Sequence, residues 1–386
     1  MLLAPIPINL LMRVVLPRPY TARAMTTLET LRAYSLHRSL KVASSVAGAI
    51  ETLGFLQADP IRAPARAQDL MLRQRVPGYQ AGDLERLYPA LGIEEEFFVN
   101  YGFVTRAVQR IMHPRRLERE LKIELEVPGL SEKVLEFVRE NGETHPKVLE
   151  MHFGKMQSAN YWGGTSQATT RVLDALHYRG KLRVARRAGG VKVYAPAPHL
   201  ETLETPFSDL ESVRALVQLI VNLYAPLPLQ SLGYLTSLLG YGAPHLKAEV
   251  KRDLKRLVRE ELQSVTFEGM TYVYPISEPL ETPETPATVR LLAPFDPVVW
   301  DRRRFAHLHG WEYRFEAYTP APKRTMGYYA LPLLWEDRAI GWANLKVVNG
   351  NLETELGFVG REPKGKAFKA ALNSELEAMR AFLGLT

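Results

Sequence analysis

Gln57 and Asp59 carry the most pointed chemistry in this sequence. They lie in the run Phe55-Leu56-Gln57-Ala58-Asp59-Pro60-Ile61, which reads as extended and is stopped by Pro60. In an extended chain, residues i and i+2 point to one face with Cα atoms about 6–7 Å apart. An amide and a carboxylate therefore project together, while Leu56 and Ala58 face the other way. A carboxylate can steady a developing cation and deprotonate a water, which is worth about 10²–10⁴-fold in rate, and an amide can help hold that water. The competing reading is that Asp59, placed before Pro60, only starts a turn.

Other motifs fall short. Gly360-x-x-x-x-Gly365-Lys366 resembles a phosphate-binding loop, but Ala367 stands where a hydroxyl would hold magnesium. His307-x-His309 lacks a third ligand at metal spacing, so no metal site and no cofactor are expected. The chain has no cysteine, which excludes disulfides, thiolate zinc and iron–sulfur clusters and fits a reducing, cytoplasmic setting. Among its 386 residues the formal net charge is +7, which favours a polyanionic partner, chiefly nucleic acid. No apolar run is long enough to span a membrane.

The elements that must position Gln57 and Asp59 read as α+β: tandem winged-helix (helix-turn-helix) modules followed by a C-terminal β-barrel-like domain. Residues 1–24 are apolar but broken by Pro5, Pro7, Pro17 and Pro19, and are expected to be a disordered arm or to precede a true start at Met25. Thr26-x-x-Glu29 reads as a capping box that opens the first module, 25–125, whose stretch 62–120 reads as helical. The second module, 126–205, has helices at Ser131–Asn141 and Gln167–Tyr178, the latter capped by Thr165 or Ser166, then a hairpin turning at Ala188-Gly189-Gly190. The third, 206–280, repeats this with helices Asp209–Leu223 and Pro244–Val258 and a hairpin turning at Glu268-Gly269. The spacing between the two hairpins is about 80 residues, the mark of a repeat. A Pro/Thr/Glu linker at 277–287 leads to a β-rich domain, 287–386, with turns at Glu336-Asp337 and Asn349-Gly350 and a closing helix.

Charge gathers in three places. The second module's hairpin carries Lys181, Arg183, Arg186, Arg187 and Lys192, a face suited to phosphates or, alternatively, an edge strand guarded by charge. Arg106, Arg110, Arg115, Arg116 and Arg119 form a second group. Arg302, Arg303, Arg304, Lys323 and Arg324 form a third, interleaved with Trp311, Tyr313, Tyr318 and Tyr328 as a stacking surface or as core. Lys181, Arg183, Arg186, Arg187, Lys192, Arg302, Lys323 and Arg324 are the expected DNA contacts.

Leu53–Tyr79 (LGFLQADPIRAPARAQDLMLRQRVPGY), Leu176–Pro196, Leu291–Arg304 and Tyr313–Leu334 resemble the bacterial winged-helix DNA glycosylases of the YcaQ/AlkZ type. The resemblance runs from about Met25 to the end. It implies three winged helices and a β-barrel around a DNA channel, with a Gln-x-Asp catalytic pair that falls on Gln57 and Asp59. It implies a minor-groove hairpin around Val265–Tyr274, which here has no Lys or Arg. The substrate it implies is double-stranded DNA with alkylated or crosslinked purines. No lysine nucleophile is evident, so monofunctional hydrolysis is expected, by a monomer associated with the nucleoid. Phe98-Val99-Asn100-Tyr101 and Arg66-Ala67-Gln68-Asp69 depart from the family's histidine-bearing stretches, which marks a divergent subfamily and leaves crosslink unhooking open. The alternative is a non-catalytic winged-helix DNA-binding protein, a regulator or lesion sensor.

Overall fold

The computed structural model describes residues 27–159, 164–201, 207–281 and 283–385; the arm or late start expected at 1–24 lies outside them. Helix α1 (Leu28–Ser39) is capped by Thr27, whose hydroxyl accepts the Thr30 N–H at 3.1 Å, one residue later than the expected cap. Helix α2 (Val46–Leu53) starts at the Ser45 cap and ends where Gly54 turns to φ +73°. Strand β1 (Phe55–Gln57), helices α3 (Ala67–Arg73) and α4 (Asp83–Leu87), strands β2 (Ile93–Phe97) and β3 (Tyr101–Thr105) and helices α5 (Arg106–Met112) and α6 (Lys122–Glu126) follow. The β2–β3 hairpin replaces part of the helix expected over 62–120, and its sheet runs β1-β3-β2.

The second unit holds α7 (Leu130–Asn141), α8 (Pro146–Phe153), β4 (Gln157–Ala159), β5 (Thr165–Gln167), α9 (Ala168–Tyr178), β6 (Leu182–Ala188), β7 (Val191–Pro196) and α10 (Pro198–Glu201). Thr165 and Ser166 do not cap α9; they pair in β5, and Gln167 takes the cap position without a side-chain bond. The third unit holds α11 (Asp209–Tyr224), β8 (Leu227–Pro228), α12 (Leu229–Gly242), α13 (Lys247–Glu261), β9 (Leu262–Phe267) and β10 (Met270–Pro275).

One order recurs in all three units: a helix, a short extended segment, further helices, then a hairpin whose second strand pairs with that segment. It gives sheets β1-β3-β2 and β8-β10-β9, and in the second unit the Thr144–Tyr194 bridge beside β7.

The C-terminal region holds β11 (Val289–Leu291), α14 (Pro297–Trp300), α15 (Arg302–His309), β12 (Leu331–Trp335), β13 (Arg338–Val348), β14 (Asn351–Phe358) and α16 (Lys366–Phe382). Asn349 and Gly350 take positive φ at one tight turn, as their residue types favour, and Glu336 takes positive φ at the other. No closed barrel is seen among the described residues: the antiparallel sheet runs β11-β12-β13-β14, and its first and last strands do not pair with each other. Helix α16 covers it, with Phe368 edge-on to Trp335 and Phe358.

The second unit packs around its own core, including Val134, Val138, Leu149, Val172 and Leu173. The first unit, the third and the C-terminal sheet share a continuous core that joins Ile50, Leu56, Leu216, Leu331 and Phe368.

Candidate active site

Strand β1 fixes Gln57 by pairing it with Gly102 of β3. The pairing runs on past the strand, because the Ala58 N–H donates to the Tyr101 carbonyl at 3.0 Å. Gly102 has no room for a side chain: a Cβ there would lie 2.3 Å from the Leu56 carbonyl oxygen and 2.6 Å from the Phe55 ring.

Gln57 and Asp59 are both buried, at 6% and 7% exposure, yet their surroundings differ. The Trp300 indole N–H donates to Gln57 Oε1 at 2.8 Å. Asp59 lines a cavity of about 600 Å³ whose wall Gln57 does not reach. The Asp59 backbone N–H donates to Gln68 Oε1 at 3.1 Å, and its Oδ1 accepts the Ile61 N–H at 2.9 Å. Burial pushes the Asp59 carboxyl above the usual aspartate range, and the Ile61 N–H recovers part of that rise. The buried Tyr329 hydroxyl has no hydrogen-bond partner among the described residues. Burial raises this phenol, and the Asp59 charge raises it further, so the two groups are electrostatic neighbours.

The far wall of the cavity belongs to the second unit. Arg187, Gly189, Gly190, Val191 and Lys192 of the β6–β7 hairpin face Asp59, Tyr88 and Tyr101 across it. Asp59, though not Gln57, and the expected cationic hairpin thus meet at a single cavity.

Much of the expected cationic face is neutralised from within. Strand β2 carries Glu94, Glu95 and Glu96, which are 0%, 2% and 0% exposed. Arg183 pairs with Glu94 at 2.9 Å, alongside Arg106 at 2.9 Å. Arg187 pairs with Glu95 at 2.6 Å, and the Tyr101 hydroxyl donates to the same carboxylate at 2.7 Å. Glu96 accepts from Arg115 at 2.7 Å and lies 2.9 Å from His113 Nε2. Burial opposes ionisation of Glu95 and Glu96, but these partners hold both carboxyls below the usual range. Burial also depresses His113.

Lys192 lies 3.1 Å from Asp174 and 4.5 Å over the Tyr101 ring, and Arg186 pairs with Glu143 at 2.7 Å on the surface. Lys181 is exposed. In the C-terminal group, Arg302 donates to the Pro294 carbonyl at 2.9 Å and stacks on Tyr313, and burial pulls its pKa below the usual arginine value. Arg324 donates to the Thr319 carbonyl at 2.8 Å, while Lys323 is exposed beside a cavity of about 760 Å³. Trp311 and Tyr313 are core, whereas Tyr318 and Tyr328 are exposed. His307 and His309 serve separate neighbours: His307 Nδ1 meets the Tyr272 hydroxyl at 2.7 Å, and His309 Nδ1 accepts the Ala339 N–H at 3.1 Å.

The family model for AlkZ-like DNA glycosylases matches residues 50–382. The chain belongs to the AlkZ-like DNA glycosylase family. Its fold is similar to that of the Streptomyces sahachiroi DNA glycosylase AlkZ, with a TM-score of 0.60 and 16% identity over 93% of this chain and 97% of that one. This AlkZ-like protein therefore works on the base–sugar bond of DNA in DNA repair. No helix among the described residues is long and apolar enough to cross a membrane.

Sequence reasoning missed Trp300, Gln68 and the Glu94–Glu96 run. The signal for the last was present: three consecutive acids between Ile93 and Phe97-Phe98, too apolar a setting for a solvated charge run. Gln68 lies in the stretch that departs from the family's histidine-bearing pattern, and here it fastens Asp59.

Proposed function

We propose that this AlkZ-like protein is a monofunctional glycosylase that hydrolyses the N-glycosidic bond of N3- or N7-alkylated purines, with Asp59 as general base and Gln57 beside it. The observation that carries this reading is the buried Asp59 carboxylate on the wall of a cavity of about 600 Å³, roughly the scale of a small-ligand site. An alkylated purine is cationic and leaves as a neutral base that keeps the bond's electron pair, so no strong acid is required. The sugar is left oxocarbenium-like. A carboxylate stabilises it, and water attacks C1′ while its proton passes to Asp59. The carboxyl raised by burial is a stronger base than a solvated aspartate, which suits proton removal.

Lys192 is the lysine on this wall, and its ammonium is occupied by Asp174 and the Tyr101 ring. A Schiff base is therefore not formed. Borohydride present during turnover should trap no protein–DNA adduct, and a trapped adduct would reassign the enzyme as a lyase.

We also read the three recurring units as winged helices, from their shared order of helices and hairpin. Exposed cations supply the phosphate contacts: Lys181, Lys323, and Lys247, Lys251 and Lys255 at i, i+4, i+8 on α13. The protein acts as a monomer on nucleoid DNA in the cytoplasm. The deciding experiment is single-turnover base release from duplexes with N7-methylguanine and with an interstrand purine crosslink, side by side. Release from the first by the wild type, and its loss in Asp59→Asn with binding retained, is expected. Binding without release from either duplex would favour a lesion sensor.

A further inference from the structure

Gln57 has one side-chain hydrogen bond among the described residues, the one it accepts from Trp300, 243 positions away in the chain. An amide has one oxygen and one NH₂ group. With the oxygen turned to the indole N–H, the side still unspent is the NH₂, a donor of two hydrogens. Asp59 is in the complementary condition: Oδ1 accepts from Ile61, and Oδ2 has no partner among the described residues. The pair therefore offers one donor and one acceptor rather than two acceptors.

Trp300 is itself held firmly. It ends α14, whose first turn is capped by Asp296 through Oδ1 and the Val298 N–H at 3.0 Å. Asp296 is 0% exposed and is clamped by both terminal nitrogens of Arg75, at 2.8 and 3.1 Å. Arg75 lies just past α3 and also donates to the Met71 carbonyl at 2.7 Å. The buried Arg304 guanidinium adds bonds to the Tyr224, Pro297 and Val298 carbonyls. The Trp300 ring packs at 5.3 Å from Tyr224 and 6.4 Å from Tyr234.

These contacts close a circuit. Helix α3 fixes Asp59 at one end through Gln68, and beyond its other end Arg75 and Asp296 fix the helix that presents Trp300 to Gln57. We infer that Trp300 is a positioning residue for base release: its indole N–H holds the Gln57 amide oxygen so that the amide acts only as a donor beside Asp59. With the amide committed as a donor, to the water or to the sugar, Asp59 is left as the acceptor of the pair, and a water that gives its proton to Asp59 keeps a lone pair for C1′. Fixing the amide in advance removes the orientation cost from the chemical step. This inference rests on Gln57 and Asp59 being the hydrolytic pair.

The test is a double-mutant cycle on single-turnover release of N7-methylguanine. Trp300→Phe keeps the aromatic packing and deletes the N–H. It should slow release about tenfold, which is about 1.4 kcal/mol of barrier, with duplex Kd unchanged and stability lowered by no more than the loss of one buried hydrogen bond. In a Gln57→Leu background the same substitution should add nothing. Gln57→Glu keeps an acceptor for the indole but has no donor, so it should lose as much rate as Gln57→Leu. This last comparison holds even if Trp300→Phe misfolds. Full rate in Trp300→Phe, independent losses in the cycle, or wild-type rate in Gln57→Glu overturns the inference. Asp59→Asn runs alongside: if it releases base at the wild-type rate, the hydrolytic pair itself is misassigned, whereas loss in Asp59→Asn with full rate in Trp300→Phe overturns only the positioning role.

Discussion

At the scale of single residues, the proposed chemistry turns on how far burial has moved Asp59. Its carboxyl titrates above the ordinary aspartate range because desolvation penalises the charged form. A general base is active when deprotonated, so base release should rise with pH through this raised value and level off above it. The acid limb of the single-turnover profile should therefore lie to the alkaline side of a solvated aspartate, with unit slope. A limb at or below the ordinary aspartate value would mean that another group titrates. The same shift predicts a cost in stability. A carboxyl whose pKa is raised by folding binds its proton more tightly folded than unfolded, so stability falls as pH rises from the unfolded value to the folded one. Asp59→Asn removes the charge at neutral pH. Its Tm at pH 7 should exceed the wild type's while base release falls by about 10²-fold or more. A lower Tm would show that the carboxylate is compensated by contacts beyond Ile61. The extended run that carries Gln57 and leads to Asp59 and Pro60 was legible in the sequence. Trp300 was not, because nothing local marks a partner 243 positions away.

At the scale of elements, the position of Gln57 depends on how closely β1 lies on β3. Gly102→Ala would place a methyl against the Leu56 carbonyl and the Phe55 ring, neither of which is the free end of a flexible chain. Strain of this kind costs about 1–3 kcal/mol, and it shifts the strand that carries Gln57. Urea unfolding should report that loss, and base release should slow with it. Gly233 on α12 has nothing within 4 Å of a built Cβ, so Gly233→Ala should stabilise by about 0.5–1 kcal/mol and leave release unchanged. Equal stability in Gly102→Ala and the wild type would mean that β1 yields without penalty. The β2–β3 hairpin was hidden in the sequence for a related reason. Glu94-Glu95-Glu96 breaks the apolar alternation that signals a strand, since all three acids are buried by partners from elsewhere. The second and third hairpins have ordinary apolar alternation and a Gly-bearing turn, and they were legible. The barrel was over-read: four strands and a turn pattern do not specify whether the edges meet.

At the scale of the whole molecule, a net charge of +7 says little about DNA binding until the cations are divided by what already neutralises them. Arg183 and Arg187 are counted as basic in composition, yet they face buried carboxylates. They join the second unit, with its own core, to the first, and Arg187 shapes the cavity wall opposite Asp59. A cation paired inside the protein has no counterion to exchange with DNA, so the slope of log K against log salt should not count it. Arg187→Ala should leave that slope as it is. It should instead destabilise by about 3–5 kcal/mol, because Glu95 is left buried with the Tyr101 hydroxyl as its remaining bond. The damage should concentrate at the join between units, visible as faster amide exchange in β6 and β7 than in α11, and base release should slow as the cavity wall loosens. Lys181 and Lys323 are exposed, and no carboxylate among the described residues pairs with them. Replacing both with Ala should lower the slope by about 0.9 for each phosphate they no longer neutralise, while Tm stays put. Were Arg187→Ala to flatten the salt dependence and keep its stability, the hairpin would be a free arm reaching for phosphates, and the carboxylates of β2 would not be what holds it.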